Sequence, residues 1–500
     1  MRLDSTFDIV VVGGGINGAS IFHAVTAAGY RTLLVDKGDF AGGTSQASAM
    51  LVWGGLLYLR DWELRTVARL CASRDELLAT DAARVEPRLV RYITERGGRR
   101  RAMMQSALHA YWIVGGGRRA RPRFEREFAE RPLLKPERVI GSLTYEEAGV
   151  VASDARFVAS WIFRAAGRGS VARNHCALEA GEFDHARRHW VLHLRDTDAR
   201  GSRAFTAHAR LVINAAGGWT DRVNDTCGRR SPWRHVLSRG VSVAFPRDPD
   251  HRHHLVFDDP GGSAMLFAPW GPASLWGSTD EVFPDMESAA RIERRDLDAL
   301  VDQLNTHLAR PVGFDDILSV RCGVRPLAVS RTSAPSGDLT RLSRHHRVYA
   351  DRAVPWVSVY GGKLSGCASL AGDVQTQVTR RLGPPATPAH TQPAEVVTPP
   401  MSTEPYPTLT DPVPAVQWCI AHEQCMTIDD YLRRRTNIAQ WVPRGGLGRH
   451  LEHLAHVRRL AMQIHHGDAQ AAERDLQRYL THVDEQWALV QPDVRMKRGA

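Results

Sequence analysis

The chain has 500 residues, room for two to four domains at roughly 100 to 200 residues each and for a sizeable buried core. Its 43% hydrophobic and 24% charged residues exclude a disordered, collagenous or coiled-coil protein. The net charge of +10 is concentrated in residues 91–140, which hold thirteen Lys+Arg against five Asp+Glu, so by itself it selects neither nucleic acid, membrane nor anionic substrate.

Met1 to Ser5 lack the basic region and apolar stretch of a signal peptide, and no run of about 18 apolar residues follows. A cytoplasmic protein is expected, with any membrane contact peripheral to the inner face. The seven cysteines (Cys71, Cys176, Cys227, Cys322, Cys367, Cys419, Cys425) show no CxxC pair, so reduced thiols and no metal site are expected. Asp8 to Val12 is a short apolar run bounded by Gly, the pattern of a buried parallel strand; Gly18 to Gly29 reads as a helix and Thr32 to Val35 as a second strand. Leu211 to Asn214 and Val357 to Tyr360 have the same buried-strand character. Val241 to Phe245 and Ser274 to Gly277 alternate and suit an antiparallel sheet. Ten of the 27 prolines fall in Pro384 to Pro414, which marks a stiff linker. Beyond it, Leu451, Leu454, Val457 and Leu460 recur at helical spacing, and Thr427 with Asp430 resembles a capping box. His253-His254 and His345-His346 lack spaced partners and are expected on surface loops rather than around a metal.

Gly13-Gly14-Gly15-Ile16-Asn17-Gly18 matches GxGxxG directly after a strand and at the opening of a helix. Gly13 allows the tight turn, Gly15 lets the backbone approach a pyrophosphate, and Gly18 permits close packing of helix on strand. Asp36, at the end of the second strand, is placed to accept hydrogen bonds from an adenosine ribose. The fingerprint alone does not separate FAD from NAD.

Asp39-Phe40-Ala41-Gly42-Gly43-Thr44-Ser45, Ser48 and Trp53-Gly54-Gly55-Leu56-Leu57-Tyr58-Leu59 resemble the FAD-dependent glycerol-3-phosphate dehydrogenase family. The resemblance continues through Asp154-Ala155-Arg156, Gly169-Ser170-Val171 and Asn214-Ala215-Ala216-Gly217-Gly218-Trp219. It extends through Phe267-Ala268-Pro269-Trp270, Gly277-Ser278-Thr279-Asp280, Gly323-Val324-Arg325-Pro326-Leu327, Ser343-Arg344, Gly361-Gly362-Lys363-Leu364-Ser365, His422-Glu423 and Thr427 to Thr436. It implies an α/β protein with a Rossmann-like FAD domain of the glutathione-reductase/D-amino-acid-oxidase type, an antiparallel-sheet substrate domain and a C-terminal helical domain. The expected ranges are 1–80, 155–235 and 320–383 for FAD, 81–154 and 236–319 for the substrate cap, 384–414 for the linker and 415–500 for the helical domain.

The cofactor residues so implied are Gly13, Gly15, Asn17, Gly18, Asp36, Lys37, Thr44, Ser45, Ser48, Gly54, Gly55, Val171, Ala216, Gly217, Trp219, Gly362, Lys363, Leu364 and Ser365. The resemblance further implies hydride transfer from a carbinol carbon to flavin N5, with electrons passed to a quinone or another acceptor. Arg325, Arg344 and Lys363 then hold the anion and the developing alkoxide, and Tyr58 lines the pocket. Lys363 stands out because the chain has only four Lys beside 61 Arg. A homodimer is left open; Arg96 to Arg101 and Arg118 to Arg126, with Tyr111, Trp112 and Phe124 nearby, carry no recognised nucleic-acid motif, so no nucleic-acid partner is expected.

The pocket departs from the family in several places. Trp53 replaces a His and Leu57 an Arg, Ser242 stands where the family has a His, and Ser365-Gly366-Cys367-Ala368 replaces a Thr-Thr-Tyr-Arg type run. Losing a charge-assisted hydrogen bond at Leu57 costs about 1.5 to 3 kcal/mol toward a phosphate, unless Arg60 or Arg239 compensates. Ser242 cannot serve as a general base near neutral pH. Two alternatives therefore stand beside the alcohol dehydrogenase: an oxidase of an amine, amino acid or biosynthetic intermediate, and a non-catalytic flavin-binding protein.

Overall fold

The computed structural model describes the chain except residues 1–3, 168, 198–201, 259–263, 333–344, 386–398, 403–405, 407–408, 410–411 and 493–500. Strand β1 (Asp4–Val12) lies at the centre of an eight-stranded sheet. It runs parallel to β2 (Thr32–Val35) on one side and to Ala204–Asn214 on the other. The path ends in Val171–Arg173 at one edge and in Trp356–Tyr360 and Arg347–Ala350 at the other. Ile9, Val10 and Val11 are fully buried because both faces of the sheet are covered, as an unbroken apolar run requires. Helix α1 (Ile16–Ala28) packs on one face with helices Asp154–Ala165 and Cys367–Leu382. On the other face Val10, Val12, Leu33 and Val35 meet Trp190, Leu192 and Cys176 of an antiparallel hairpin.

A second, ten-stranded sheet is built on the long strand Trp233–Pro246, which pairs antiparallel with Ser319–Ser330 and Ala273–Gly277. Val241–Phe245 and Ser274–Gly277 do pair antiparallel, with Ser242 opposite Gly277. The range 320–383, read from the sequence as part of the FAD domain, divides between the sheets: Ser319–Ser330 joins the second, and only the strands from Arg347 onward join the first. Helix α2 (Leu64–Thr80) and helix α3 (Arg101–Val114) cover the far end of this second sheet.

The tail is helical, with Leu454–Ile464 and Ala469–Trp487 packed around Leu432, Val457, Leu460 and Leu476. Thr427 and Asp430 exchange the reciprocal bonds of a capping box: the Asp430 N–H donates to Thr427 Oγ1 (3.1 Å) and the Thr427 N–H to Asp430 Oδ2 (3.1 Å). In the expected linker, Met401–Ser402 pairs with Val413–Pro414, and Tyr406 is fully buried. One expectation is corrected. His254 is not on a surface loop but begins a buried strand, His254–Asp258, where burial holds its imidazole down at about 3 and hence neutral. His345 and His346 bond to Glu63 and Asp373, both at 2.8 Å.

Candidate active site

The turn between β1 and α1 is shaped by close backbone approach. Gly13 has φ +105°, and a Cβ on Gly18 would lie 1.8 Å from the Gly13 carbonyl oxygen. Helix α1 starts on Gly15, which offers no side-chain cap, and Ser45 Oγ accepts the Ile16 N–H at 2.9 Å. Asp36 accepts the N–H groups of Gly14 (2.6 Å) and Gly38 (2.9 Å), while burial pushes its carboxyl up to about 6. Asn17 Nδ2 donates to the Gly361 carbonyl at 2.8 Å, and its Oδ1 is buried with no hydrogen-bond partner among the described residues. A Cβ on Gly362 would come within 2.5 Å of that oxygen. A helix start with a glycine N-cap and a side-chain-free cradle fit a dinucleotide pyrophosphate, whose oxygens accept N–H groups at a helix start.

The other expected cofactor residues have the following surroundings. Val171 sits beside Leu33 of β2. The Lys37 ammonium lies 3.9 Å from the Trp219 ring centroid, and the Ala216 N–H bonds to Asn214 Oδ1 at 3.2 Å just before Gly217 turns the chain. Thr44 donates to the Val324 carbonyl, and Ser48 N–H to Asp154 Oδ2 at 2.7 Å. Gly55, at φ +87°, leads into the short helix Leu56–Asp61, and the Gly54 N–H reaches Glu147 at 3.2 Å. Leu364 and Ser365 open the helix Cys367–Leu382 through a short 3-10 turn. Arg344 lies outside the described residues.

Three groups were not found from the sequence. Arg321 donates to Asp154 Oδ2 (2.9 Å) and to the carbonyls of Gln46 (2.6 Å) and Ser48 (3.3 Å), with its guanidinium over Trp270. It therefore fixes the loop that carries Thr44, Ser45 and Ser48. Arg321, Gly323 and Arg325 alternate along one strand face, a period that was visible in the sequence. His235 Nε2 accepts the Gly361 N–H at 2.9 Å, and burial lowers its titration to about 3, so it is a neutral acceptor. Under Gly54, buried Glu147 takes bonds from Arg74 (2.9 Å) and Tyr111 (2.5 Å).

At the substrate end, the Lys363 ammonium lies 4.2 Å from the Tyr58 ring centroid. Tyr58 in turn stacks on His345 at 6.5 Å. No acidic group bonds Lys363 among the described residues, and burial lowers it to about 7. Arg325 is heavily engaged: it bonds to the Thr279 carbonyl (3.1 Å), Asp280 (3.3 Å), Ser278 and Ser238. Arg239 is buried against Glu281 (2.7 Å) and Asp296 (2.9 Å), so it does not replace the missing arginine at Leu57. Trp53 is half-buried, its indole N–H buried without a partner among the described residues.

A family model described as FAD dependent oxidoreductase matches residues 8–353. The chain belongs to this FAD dependent oxidoreductase family. It is 28% identical over 384 residues to the aerobic glycerol-3-phosphate dehydrogenase of Staphylococcus aureus, covering 75% of this chain and 67% of that protein. The fold is similar to the glycerol-3-phosphate dehydrogenase of Bacillus halodurans complexed with FAD (TM-score 0.67, 19% identity, 97% of this chain and 96% of the other). It is also similar to glycine oxidase from Geobacillus kaustophilus (TM-score 0.52, 16% identity, 79% and 99%).

The cofactor is therefore FAD, and the protein is an FAD-dependent oxidoreductase. Within this flavoprotein the groups suited to hold the pyrophosphate are the start of α1, Ser45 and Asn17, with Asp36 suited to the ribose. Among the described residues no helix is long and apolar enough to cross a membrane.

Proposed function

We propose that the protein oxidises the secondary alcohol of a small anionic substrate, glycerol 3-phosphate or a compound of its size, and passes the electrons to a quinone or another acceptor. The observation that carries this reading is Lys363: a half-buried amine, without an acidic partner among the described residues, on the loop that touches the dinucleotide turn. Bound FAD supplies the hydride acceptor. Lys363 supplies the proton acceptor that Ser242 cannot be. With its titration near 7, a neutral fraction of Nζ takes the hydroxyl proton as the alkoxide develops. The Tyr58 ring then stabilises the ammonium so formed. Arg325, half-exposed and with its charge shared with Asp280, supplies the attraction for a single anionic group. Anaerobic glycerol 3-phosphate bleaches the flavin spectrum on this reading; an unbleached spectrum at millimolar substrate rejects that substrate.

A second reading, an amine or amino-acid oxidase using oxygen, is favoured by one feature. Leu57 presents an apolar side chain where a phosphate needs a donor, and Arg239 is committed elsewhere. Peroxide released with an amine, at a rate indifferent to added quinone, would select it.

We also infer a peripheral membrane contact through α3. Its outer face, Ala102, Met103, Ser106, Ala110 and Ile113, is exposed and uncharged, with Met103 54% and Ile113 66% accessible. Trp62, at the end of the adjoining short helix, is 82% exposed. Arg100 and Arg101 flank the face at one end and Arg118, Arg121 and Arg123 at the other, all exposed, an arrangement that suits an anionic bilayer. Co-flotation with anionic vesicles, lost in zwitterionic ones and weakened by salt, is the expected result.

A further inference from the structure

The loop that supplies Thr44, Ser45 and Ser48 is held from a region far along the chain. Asp39 is buried and its carboxylate is saturated. Oδ2 accepts from Arg434 Nε (2.6 Å) and Arg435 Nη1 (2.8 Å), and Oδ1 from Arg435 Nη2 (2.9 Å) and Asn174 (2.8 Å). Arg434 Nη1 also reaches Gln46 Oε1 at 3.2 Å, so two adjacent arginines grip both ends of the loop 39–46. Within it, the Ala41 N–H donates to the Gly14 carbonyl at 3.0 Å, and Ser45 takes the first N–H of α1. The arginines are themselves set from behind: Asp430 bonds Arg434 (3.0 Å) and His175 (3.0 Å), and the Glu423 carbonyl takes Arg435 (2.7 Å). Asp39, His175 and Asp430 approach one another as a metal triad would, but guanidinium groups already neutralise both carboxylates.

The family match ends at residue 353, so the clamp joins a loop within the matched range to arginines beyond it. We propose that Arg434 and Arg435 are positioning residues for the cofactor. The C-terminal helical region holds loop 39–48 in its pyrophosphate-binding shape, and docking of that region is thereby coupled to FAD binding. Coupling is reciprocal: whatever factor the docked tail contributes to FAD affinity, FAD returns to the docking of the tail.

The test uses the full-length chain in two arms. In the first, R434K and R435K keep the charge but lose the fork geometry, and flavin titration is expected to show about tenfold weaker FAD binding. R444K, which loosens the Arg444–Asp484 pair within the same helical region, is the control and is expected to bind FAD as the unaltered chain does. In the second arm, hydrogen exchange of the unaltered chain with and without FAD is expected to slow about tenfold over residues 423–436 when FAD is added. The proposal is overturned if both Lys variants at 434 and 435 bind FAD normally, or if R444K weakens binding equally. Exchange over 423–436 that is indifferent to FAD also overturns it, and this arm decides the matter if the variants do not fold.

Discussion

The two ends of the flavin groove are built on opposite principles. At the pyrophosphate end every loop is tied down: Arg321 bridges Asp154 to the carbonyls of Gln46 and Ser48, Ser45 closes on α1, and Asp39 is saturated by two arginines. At the substrate end Lys363 has an aromatic face and no carboxylate among the described residues, Ser242 and Leu57 have short or apolar side chains, and Trp53 leaves an indole N–H unpaired. The first end must recognise an unchanging group and tolerates little variation in geometry. On the proposed function the second decides the substrate, and few bonds constrain what occupies it.

The largest expected effect tests the rigid end. R321A strands the buried Asp154 carboxylate and is expected to cost about 3–5 kcal/mol in denaturant unfolding, with loss of bound flavin. Stability within about 1 kcal/mol of the unaltered protein would show that the pair is ornamental. At the open end, K363M is expected to retain FAD and slow anaerobic flavin reduction by about 10²- to 10⁴-fold, measured by stopped flow. An unchanged rate would remove Lys363 from proton transfer. L57R is expected to tighten glycerol 3-phosphate about ten- to a hundred-fold if that end receives a phosphate, and to do nothing for an amine.

A further effect is a pH dependence. Lys363 titrates near 7 in the folded chain and near the ordinary 10.5 when unfolded, so between these values the unfolded state holds the extra proton. Its contribution to stability therefore rises with pH across that window, by at most about 1.4 kcal/mol per pH unit. The stability difference between the unaltered chain and K363M, followed from pH 7 to 10, reads this slope and cancels the other titrating groups. A flat difference would place the amine in solvent.

What the sequence made legible was local. The apolar run ending at Val12, the glycine turn and the downstream Asp36 lie within one short β-α-β unit, and each has its own spacing rule. The braces are different. Asp154 and Arg321 are 167 residues apart and Asp39 and Arg435 are 396 apart, so no window contains both partners. The pairing of Arg325 with Asp280 depends on how Trp233–Pro246 lies between two antiparallel neighbours, which composition does not encode. His254 was misplaced because two adjacent histidines look like a polar loop, whereas the strand that begins there turns its imidazole inward.

The bond from Asn17 to the Gly361 carbonyl has a consequence for how the molecule is made. Those residues are 344 apart, and β1 pairs on one side with a strand that ends only at Asn214. The glycine turn is synthesised well before Gly361 and waits for the intervening chain before its neighbours exist. Loop closure of this length is entropically affordable but slow, because non-local pairings must be found before they are rewarded. During that interval the bare apolar edge of β1 is exposed to aggregation. Yield of active protein is thus expected to respond to translation rate and chaperone supply.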